Sequence, residues 1–185
     1  VRVIAGQAKG RLLRVPKGPV VRPTSDFLRE ALFNILGEGI HGAWFLDLFA
    51  GSGAVGIEAL SRGAGFVTFV EKNPRCVQAI RANLKRSGFE AQAEIILTDV
   101  LKFLVDRCSQ RGYDVIFLDP PYHGLLGEET LTRLGQGLAL RPKSLVIAEV
   151  FHKRALPPAF GLLRLVREVR HGQTKLVFYT NLEGS

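Results

Sequence analysis

Apolar and polar positions along this chain follow two different periods. From Trp44 onward there are five short, nearly continuous apolar runs: Trp44–Phe49, Phe66–Glu71, Ala93–Leu97, Tyr113–Leu118 and Ser144–Val150. Runs of this length, bounded by turn residues, predict buried strands. Between them, segments near 54–62, 74–87, 100–110 and 127–139 repeat their apolar positions at helical spacing. Such alternation predicts a parallel sheet covered on both faces. After residue 150 the alternation stops. Leu162–Val169 and Thr174–Thr180 follow with only a His-Gly-Gln turn between them, and two strands joined so tightly must be antiparallel. The expected class is α/β: a doubly wound, seven-stranded, mostly parallel sheet with an antiparallel terminal hairpin.

The first 23 residues differ. Val1–Ala5 and Arg11–Pro16 alternate apolar and basic positions around a glycine-containing gap, which predicts a small β-hairpin. Thr24 or Ser25 can cap a helix running to about Leu36, with Phe27, Ala31, Leu32, Ile35 and Leu36 on one face and Gly37 and Gly39 ending it. The expected organisation is an N-terminal hairpin extension, 1–23, followed by one domain, 24–185. No internal repeat or low-complexity tract interrupts it.

Charge narrows the partner. Against 17 Asp+Glu the chain carries 25 Lys+Arg, a net charge of +8, which favours a polyanion, nucleic acid before membrane. Residues 1–25 hold Arg2, Lys9, Arg11, Arg14, Lys17 and Arg22 before any acid appears. A second basic stretch, 151–175, has Lys153, Arg154, Arg164, Arg167, Arg170 and Lys175 against Glu168 alone. Cys76 and Cys108 stand far apart in helical patterns without a Cys/His cluster, so neither a disulfide framework nor a metal site is expected. No apolar run approaches ~18 residues and no signal-peptide pattern is seen, so the expectation is a cytoplasmic protein with no membrane partner. Nothing in the pattern calls for a second copy, and a monomer is expected.

The first strand runs into Asp47-Leu48-Phe49-Ala50-Gly51-Ser52-Gly53-Ala54-Val55-Gly56, a glycine turn opening a helix. Glu71 follows Gly51 by 20 residues, at the end of the next strand, where an acid grips ribose hydroxyls. Alone, Gly51, Gly53 and Gly56 would suit a dinucleotide. Asp47 argues otherwise, because a carboxylate beside the helix N-terminus repels a pyrophosphate and attracts a cation. S-adenosylmethionine, with a sulfonium, an ammonium and no phosphate, suits such a site. Glu71 would then take the ribose diol and Asp99, closing the third strand, the adenine amine. The Gly51–Gly53 backbone would approach the methionine part and Asp47 the cationic end. Phe49, Ala50, Lys72, Val100 and Asp119 complete the expected cofactor set.

The fourth strand ends in Asp119-Pro120-Pro121-Tyr122. Two prolines hold the chain extended and leave carbonyls free to face a ligand. A carboxylate, exposed carbonyls and an aromatic ring together can grip a planar group bearing an NH2. Such a nitrogen is a weak nucleophile, because its lone pair is delocalised into the base. Asp119 and the Pro120 carbonyl can each accept one N–H, which favours a pyramidal nitrogen aimed at a methyl donor. Tyr122 can stack on the base, which must be unpaired or flipped out. Asp119, Pro120 and Tyr122 are the expected catalytic residues; no metal is expected.

Arg2-Val3-Ile4-Ala5-Gly6, Lys9-Gly10-Arg11, Arg22-Pro23-Thr24 and Arg29-Glu30-Ala31-Leu32-Phe33-Asn34-Ile35-Leu36 together resemble the N-terminus of the RsmD family. The Asp47–Gly53 and Asp119–Tyr122 motifs and the closing Gly172-Gln173-Thr174-Lys175-Leu176 resemble it too. The resemblance covers nearly the whole chain. It implies the Rossmann-like sheet of class I methyltransferases, S-adenosylmethionine as cofactor, and methylation of guanine N2 in small-subunit (16S) ribosomal RNA on assembled or partly assembled subunits. The basic N-terminus then becomes an RNA-binding arm carrying Arg11, Arg14, Lys17 and Arg22, with Tyr122 on the target base. The residues by themselves reach only an exocyclic amine of an unpaired base. Adenine in DNA or RNA, a protein glutamine amide, a nicotinamide-dependent oxidoreductase and an idle RNA-binding protein stay open as alternatives.

Overall fold

The structure, a computed structural model, describes residues 1–16, 24–106, 111–121 and 124–182. Five strands, β1 (Trp44–Leu48), β2 (Phe66–Glu71), β3 (Ala93–Leu97), β4 (Tyr113–Leu118) and β5 (Leu140–Phe151), lie parallel. The chain then adds β6 (Ala159–Phe160), β7 (Leu163–His171) and β8 (Thr174–Asn181), giving the sheet order β3-β2-β1-β4-β5-β8-β7-β6. The last strand inserts antiparallel between β5 and β7. The terminal hairpin is therefore as the pattern predicts. The additional strand, β6, is a two-residue edge too short to leave a periodic signal.

Strand order reverses between β1 and β4. Chain leaving β1 goes to β2 on one side while β4 pairs on the other, which opens a crevice at the carboxyl ends of the strands. Side-chain alternation sorts each strand into two cores. Phe45, Val67, Phe69, Phe117, Ile147 and Phe178 face α1 (Asp26–Leu36), α2 (Ala54–Ser61) and α3 (Pro74–Ser87). On the opposite side Leu46, Leu48, Val70, Ile116, Val146 and Tyr179 face α4 (Val100–Asp106) and α5 (Leu126–Gly135).

Two local expectations are corrected. Helix α1 starts as predicted, with Ser25 Oγ accepting the Leu28 N–H, but its buried face is Leu28, Arg29, Leu32 and Phe33. Phe27 lies outside and stacks on His171 with ring centroids 3.8 Å apart. The apolar count misplaced the face because Arg29, fully buried, is one of its members. Helix α5 ends at Gly135, earlier than residue 139, and β5 begins at Leu140 instead of Ser144. Ser144 Oγ, donating to the Tyr113 carbonyl at 2.6 Å, holds the irregular start of β5 against β4.

Residues 1–16 do not stand off the domain. The predicted hairpin closes through one antiparallel bridge, Arg2 with Leu12, and Val3, Ala8 and Leu13 sink into the core beside α1 and α2. Buried Glu58 on α2 accepts the Ile4 and Ala5 N–H groups at 2.8 and 3.0 Å. Arg29 faces it at 3.8 Å and donates to the Arg2 carbonyl at 2.9 Å. An ion pair without water is tolerated only with further hydrogen bonds. The N-terminal main chain supplies three, Arg62 donates to Glu58 at 2.7 Å and Asp26 pairs with Arg29, while Arg29 Nε and Nη1 have no hydrogen-bond partner among the described residues. The expected boundary at residue 23 lies outside the described residues.

Candidate active site

Strand parity decides where the acids go. Asp47 shares a face with Phe45, Glu71 with Phe69, and Asp119 with Phe117. All three therefore belong to the α1–α3 side, at the carboxyl edge of neighbouring strands. In the pairing β4–β1, Phe117 lies opposite Asp47, and the Asp119 N–H reaches the Leu48 carbonyl at 3.5 Å. This crossing of the switch point brings the glycine turn and the Asp-Pro-Pro loop together.

The glycine turn is wired by these acids. Asp47, almost wholly buried, accepts the Gly56 N–H at 3.0 Å, a group in the first turn of α2. Glu71 Oε2 accepts the Gly51 N–H and its Oε1 the Asn73 N–H, each at 2.8 Å. Gly53 caps α2 with φ 77°, in the left-handed region where glycine is favoured. At Gly56 the reason is different: a Cβ there would lie 2.3 Å from the Phe69 ring, so only glycine lets α2 close on the sheet. Phe49, which is not glycine, also takes φ 62°. A non-glycine residue held there costs on the order of 1–3 kcal/mol, and this strained residue sits where β1 turns into the crevice.

Electrostatics set a preference for the ligand. Burial pushes the Asp47 carboxyl well above its ordinary range; the Gly56 N–H opposes this and the charge of Glu71 adds to it. A nearby cation would favour the ionised form, while a phosphate would disfavour it further. The anion-receiving end of α2 is also already met by the protein's own carboxylate. These residues suit a cationic cofactor such as S-adenosylmethionine and oppose a pyrophosphate.

The remaining predicted cofactor residues are spread along the same edge. Ala50 donates to the Val70 carbonyl at 3.1 Å and its carbonyl accepts from Gly53 at 2.8 Å. Lys72 is exposed just past Glu71, and Val100 is buried at the start of α4. Asp99 is exposed and caps α4 through the Leu101 N–H at 2.9 Å. On the target side, Pro120 is buried against α5, where a Cβ on Gly127 would come within 2.9 Å of its ring. Pro121 is exposed. A cleft open to solvent lies beyond these prolines, lined also by Leu131, Val150 and Leu156 and by Arg154, which donates to Glu128 at 2.8 Å. Arg11 and Arg14 are exposed. Tyr122, Lys17 and Arg22 lie outside the described residues. Among the described residues no His/Cys/Asp/Glu group could hold a metal. Cys76 is buried in α3, its thiol pushed up to about 11 by burial and then by Glu71.

Two residues escaped the sequence reading. Glu149, two residues before the end of β5 and on the same face, is buried and accepts the Thr24 hydroxyl at 2.8 Å. Its signal was present as one more acid closing an apolar run. Asn83, fully buried in α3, bonds both the N-terminal segment and Ser52 of the glycine turn. A lone Asn in an amphipathic helix carries no such signal.

Comparison with known proteins extends this picture. A family model described as Conserved hypothetical protein 95 matches residues 1–180. The Haemophilus influenzae protein named Ribosomal RNA small subunit methyltransferase D is 42% identical over 167 residues, 89% of this chain and 86% of that one. Among solved structures, the Escherichia coli protein yhhF superposes with a TM-score of 0.87 at 36% identity, over 98% of this chain and 97% of that one. An RNA methyltransferase from Salinibacter ruber, solved in complex with S-adenosyl-L-homocysteine, has a TM-score of 0.68 over 89% of this chain and 96% of its own. At 17% identity it shows the shared fold alone.

Proposed function

The chain belongs to the RsmD family, whose model is described as Conserved hypothetical protein 95, and from that membership we propose that it transfers a methyl group from S-adenosylmethionine to the N2 amine of a guanine in small-subunit ribosomal RNA. One observation carries the reading. Asp47, Glu71 and Asp119 share one face and one edge of the sheet, across the point where the strand order reverses.

S-adenosylmethionine, when bound, supplies an electrophilic methyl on a sulfonium. Glu71 would hold its ribose diol, Asp99 its adenine amine, and Asp47 would stand near its cationic end, with Phe49, Ala50, Gly51, Gly53, Lys72, Val100 and Asp119 around it. Asp119 and the Pro120 carbonyl would each accept one N–H of the target amine and turn its lone pair out of the ring plane. Asp119 stabilises the positive charge that develops on nitrogen and takes up the proton released. Stiff prolines keep this geometry without reorganisation at the moment of reaction. Tyr122 would stack on the extruded base. Arg11, Arg14, Lys17 and Arg22 would bind RNA phosphates. On this reading the chain acts as a monomer in the cytoplasm; no described helix is long and apolar enough to cross a membrane.

The test is transfer of radiolabelled methyl from S-adenosylmethionine to small ribosomal subunits lacking the modification, with Asp119→Ala alongside. Nucleoside digestion should yield N2-methylguanosine with the wild type and none above background with the variant. Label in N6-methyladenosine, in protein amides or nowhere would overturn the assignment.

A further inference from the structure

We propose that helix α3 and residues 9–14 form one docking face for the RNA phosphate backbone, with Asn83 as the residue that joins them. The inference rests on the RNA-methyltransferase reading and goes beyond it, because the sequence pattern singled out only the two chain-terminal basic stretches.

The joint is a fully buried amide. Asn83 Oδ1 accepts the Arg14 N–H at 2.7 Å, and its Nδ2 donates to the Arg14 carbonyl at 2.9 Å and to the Ser52 carbonyl at 3.0 Å. Both donors and one acceptor position are thus used. Turning the amide over would set NH2 against an N–H and oxygen against two carbonyls, so one orientation is enforced. The main chain at Arg14 is thereby fixed on α3 as a neighbouring strand would fix it. The same side chain holds the turn between Gly51 and Gly53.

What this joins is one sign of charge. Along α3, Arg75, Arg81, Lys85 and Arg86 are all exposed, and Lys9, Arg11 and Arg14 are exposed on the segment seated against it. Neither 1–16 nor 72–89 contains an acid. Among the described residues none of these seven side chains forms an ion pair. Four of the six cations in the other basic stretch are spent differently, Arg154 on Glu128 among them. In the terminal hairpin Arg164 donates to the Gly161 and Leu163 carbonyls, Arg170 to the Gly172 carbonyl at 3.2 Å, and Lys175 is paired with Glu168 at 3.0 Å. Cations tied to their own backbone or to an acid have less to offer a phosphate. Unpaired cations on a rigid helix can displace condensed counterions with little loss of side-chain order.

The experiment compares two triple variants that each remove three charges: Arg81→Gln/Lys85→Gln/Arg86→Gln on α3 and Arg164→Gln/Arg167→Gln/Arg170→Gln on the hairpin. Binding of each to small ribosomal subunits is measured across a salt series, with folding checked by circular dichroism. The α3 triple should weaken binding by about tenfold or more at 0.1 M salt and flatten the log–log salt dependence by about 2. The hairpin triple should change both much less. Asn83→Ala, which keeps every charge, should weaken binding while leaving most of the salt slope. Equal losses in the two triples would mean that net charge alone matters and would overturn the proposal, as would an α3 triple that binds like the wild type. A wild type that methylates subunits while the α3 triple is unaffected refutes the docking face alone. A wild type that neither binds nor methylates them removes the functional reading and the docking face together.

Discussion

The two halves of the crevice are stiffened by different means. On the β1–β2 side, order comes from buried side chains bonding the main chain of a glycine turn: Asp47 to Gly56, Glu71 to Gly51 and Asn73, Asn83 to Ser52. On the β4 side it comes from proline, with Pro120 packed against Gly127 at the start of α5. The first device leaves carboxylates close to where a cation would sit. The second sets a stiff, extended loop directly after β4 at the edge of the crevice. A glycine turn can be drawn tight around a small ligand because its amides have partners within the fold. A proline loop needs no such partners, since its conformation is restricted before any contact is made.

Substitutions can separate these halves. The largest effect should come from Asp119→Ala, with single-turnover methyl transfer falling about 10²–10³-fold, the range for losing one group that stabilises developing charge. Binding of S-adenosylmethionine, followed by calorimetry, should change far less. A comparable loss in both would mean that Asp119 serves mainly the cofactor half.

Next is Glu71→Gln. The amide can still accept from one of Gly51 and Asn73, but it turns an NH2 toward the other. An unsatisfied buried donor costs about 1–3 kcal/mol, so cofactor affinity should fall about 5–100-fold while RNA binding is kept. Retained affinity would show that the turn does not depend on this carboxylate.

A third change tests packing. Gly56→Ala places a Cβ 2.3 Å from Phe69, and overpacking of this kind costs about 1–3 kcal/mol. Thermal melting should drop by about 2–4 °C per kcal/mol in a domain of this size. An unchanged Tm would mean that α2 can shift without penalty.

The smallest and most diagnostic is Asp47→Asn, which keeps an oxygen for the Gly56 N–H. Because the folded value of Asp47 lies above its unfolded one, its contribution to stability is complete below the unfolded carboxylate range and is lost as pH rises through the raised value. The cofactor-free variant should therefore melt higher than the wild type at pH 7.5, by about a few °C, with the gap closing toward pH 4. Its affinity for S-adenosylmethionine should be lower at pH 7.5. A gap that widens on acidification would reverse the assignment.

Much of this was legible from periodicity. Short continuous apolar runs bounded by turn residues read as strands buried on both faces, and each of the five parallel strands lies where its run stands, with β5 extended backward to Leu140. The glycine turn and the Asp-Pro-Pro loop were legible because their chemistry is local: φ above zero, close approach, proline stiffness. The face of α1 was not, because Arg29 reads as a surface residue until Glu58, 29 positions later, is brought opposite it. Nor could the seating of the N-terminal segment be read, since its partners Glu58, Ser61 and Asn83 are more than 50 positions away.

By itself, then, the sequence determined the class of sheet, the antiparallel ending, the glycine turn and the Asp-Pro-Pro loop, and the sign of the surface charge, because each depends on neighbours in the chain. Tertiary structure alone decided that Asp47, Glu71 and Asp119 share one face, that the basic N-terminus is seated in the domain, and that Asn83 ties it to both α3 and the glycine turn. Those relations require strand order and side-chain direction to act together, and a buried polar group shows its role only when its partners arrive from elsewhere in the chain.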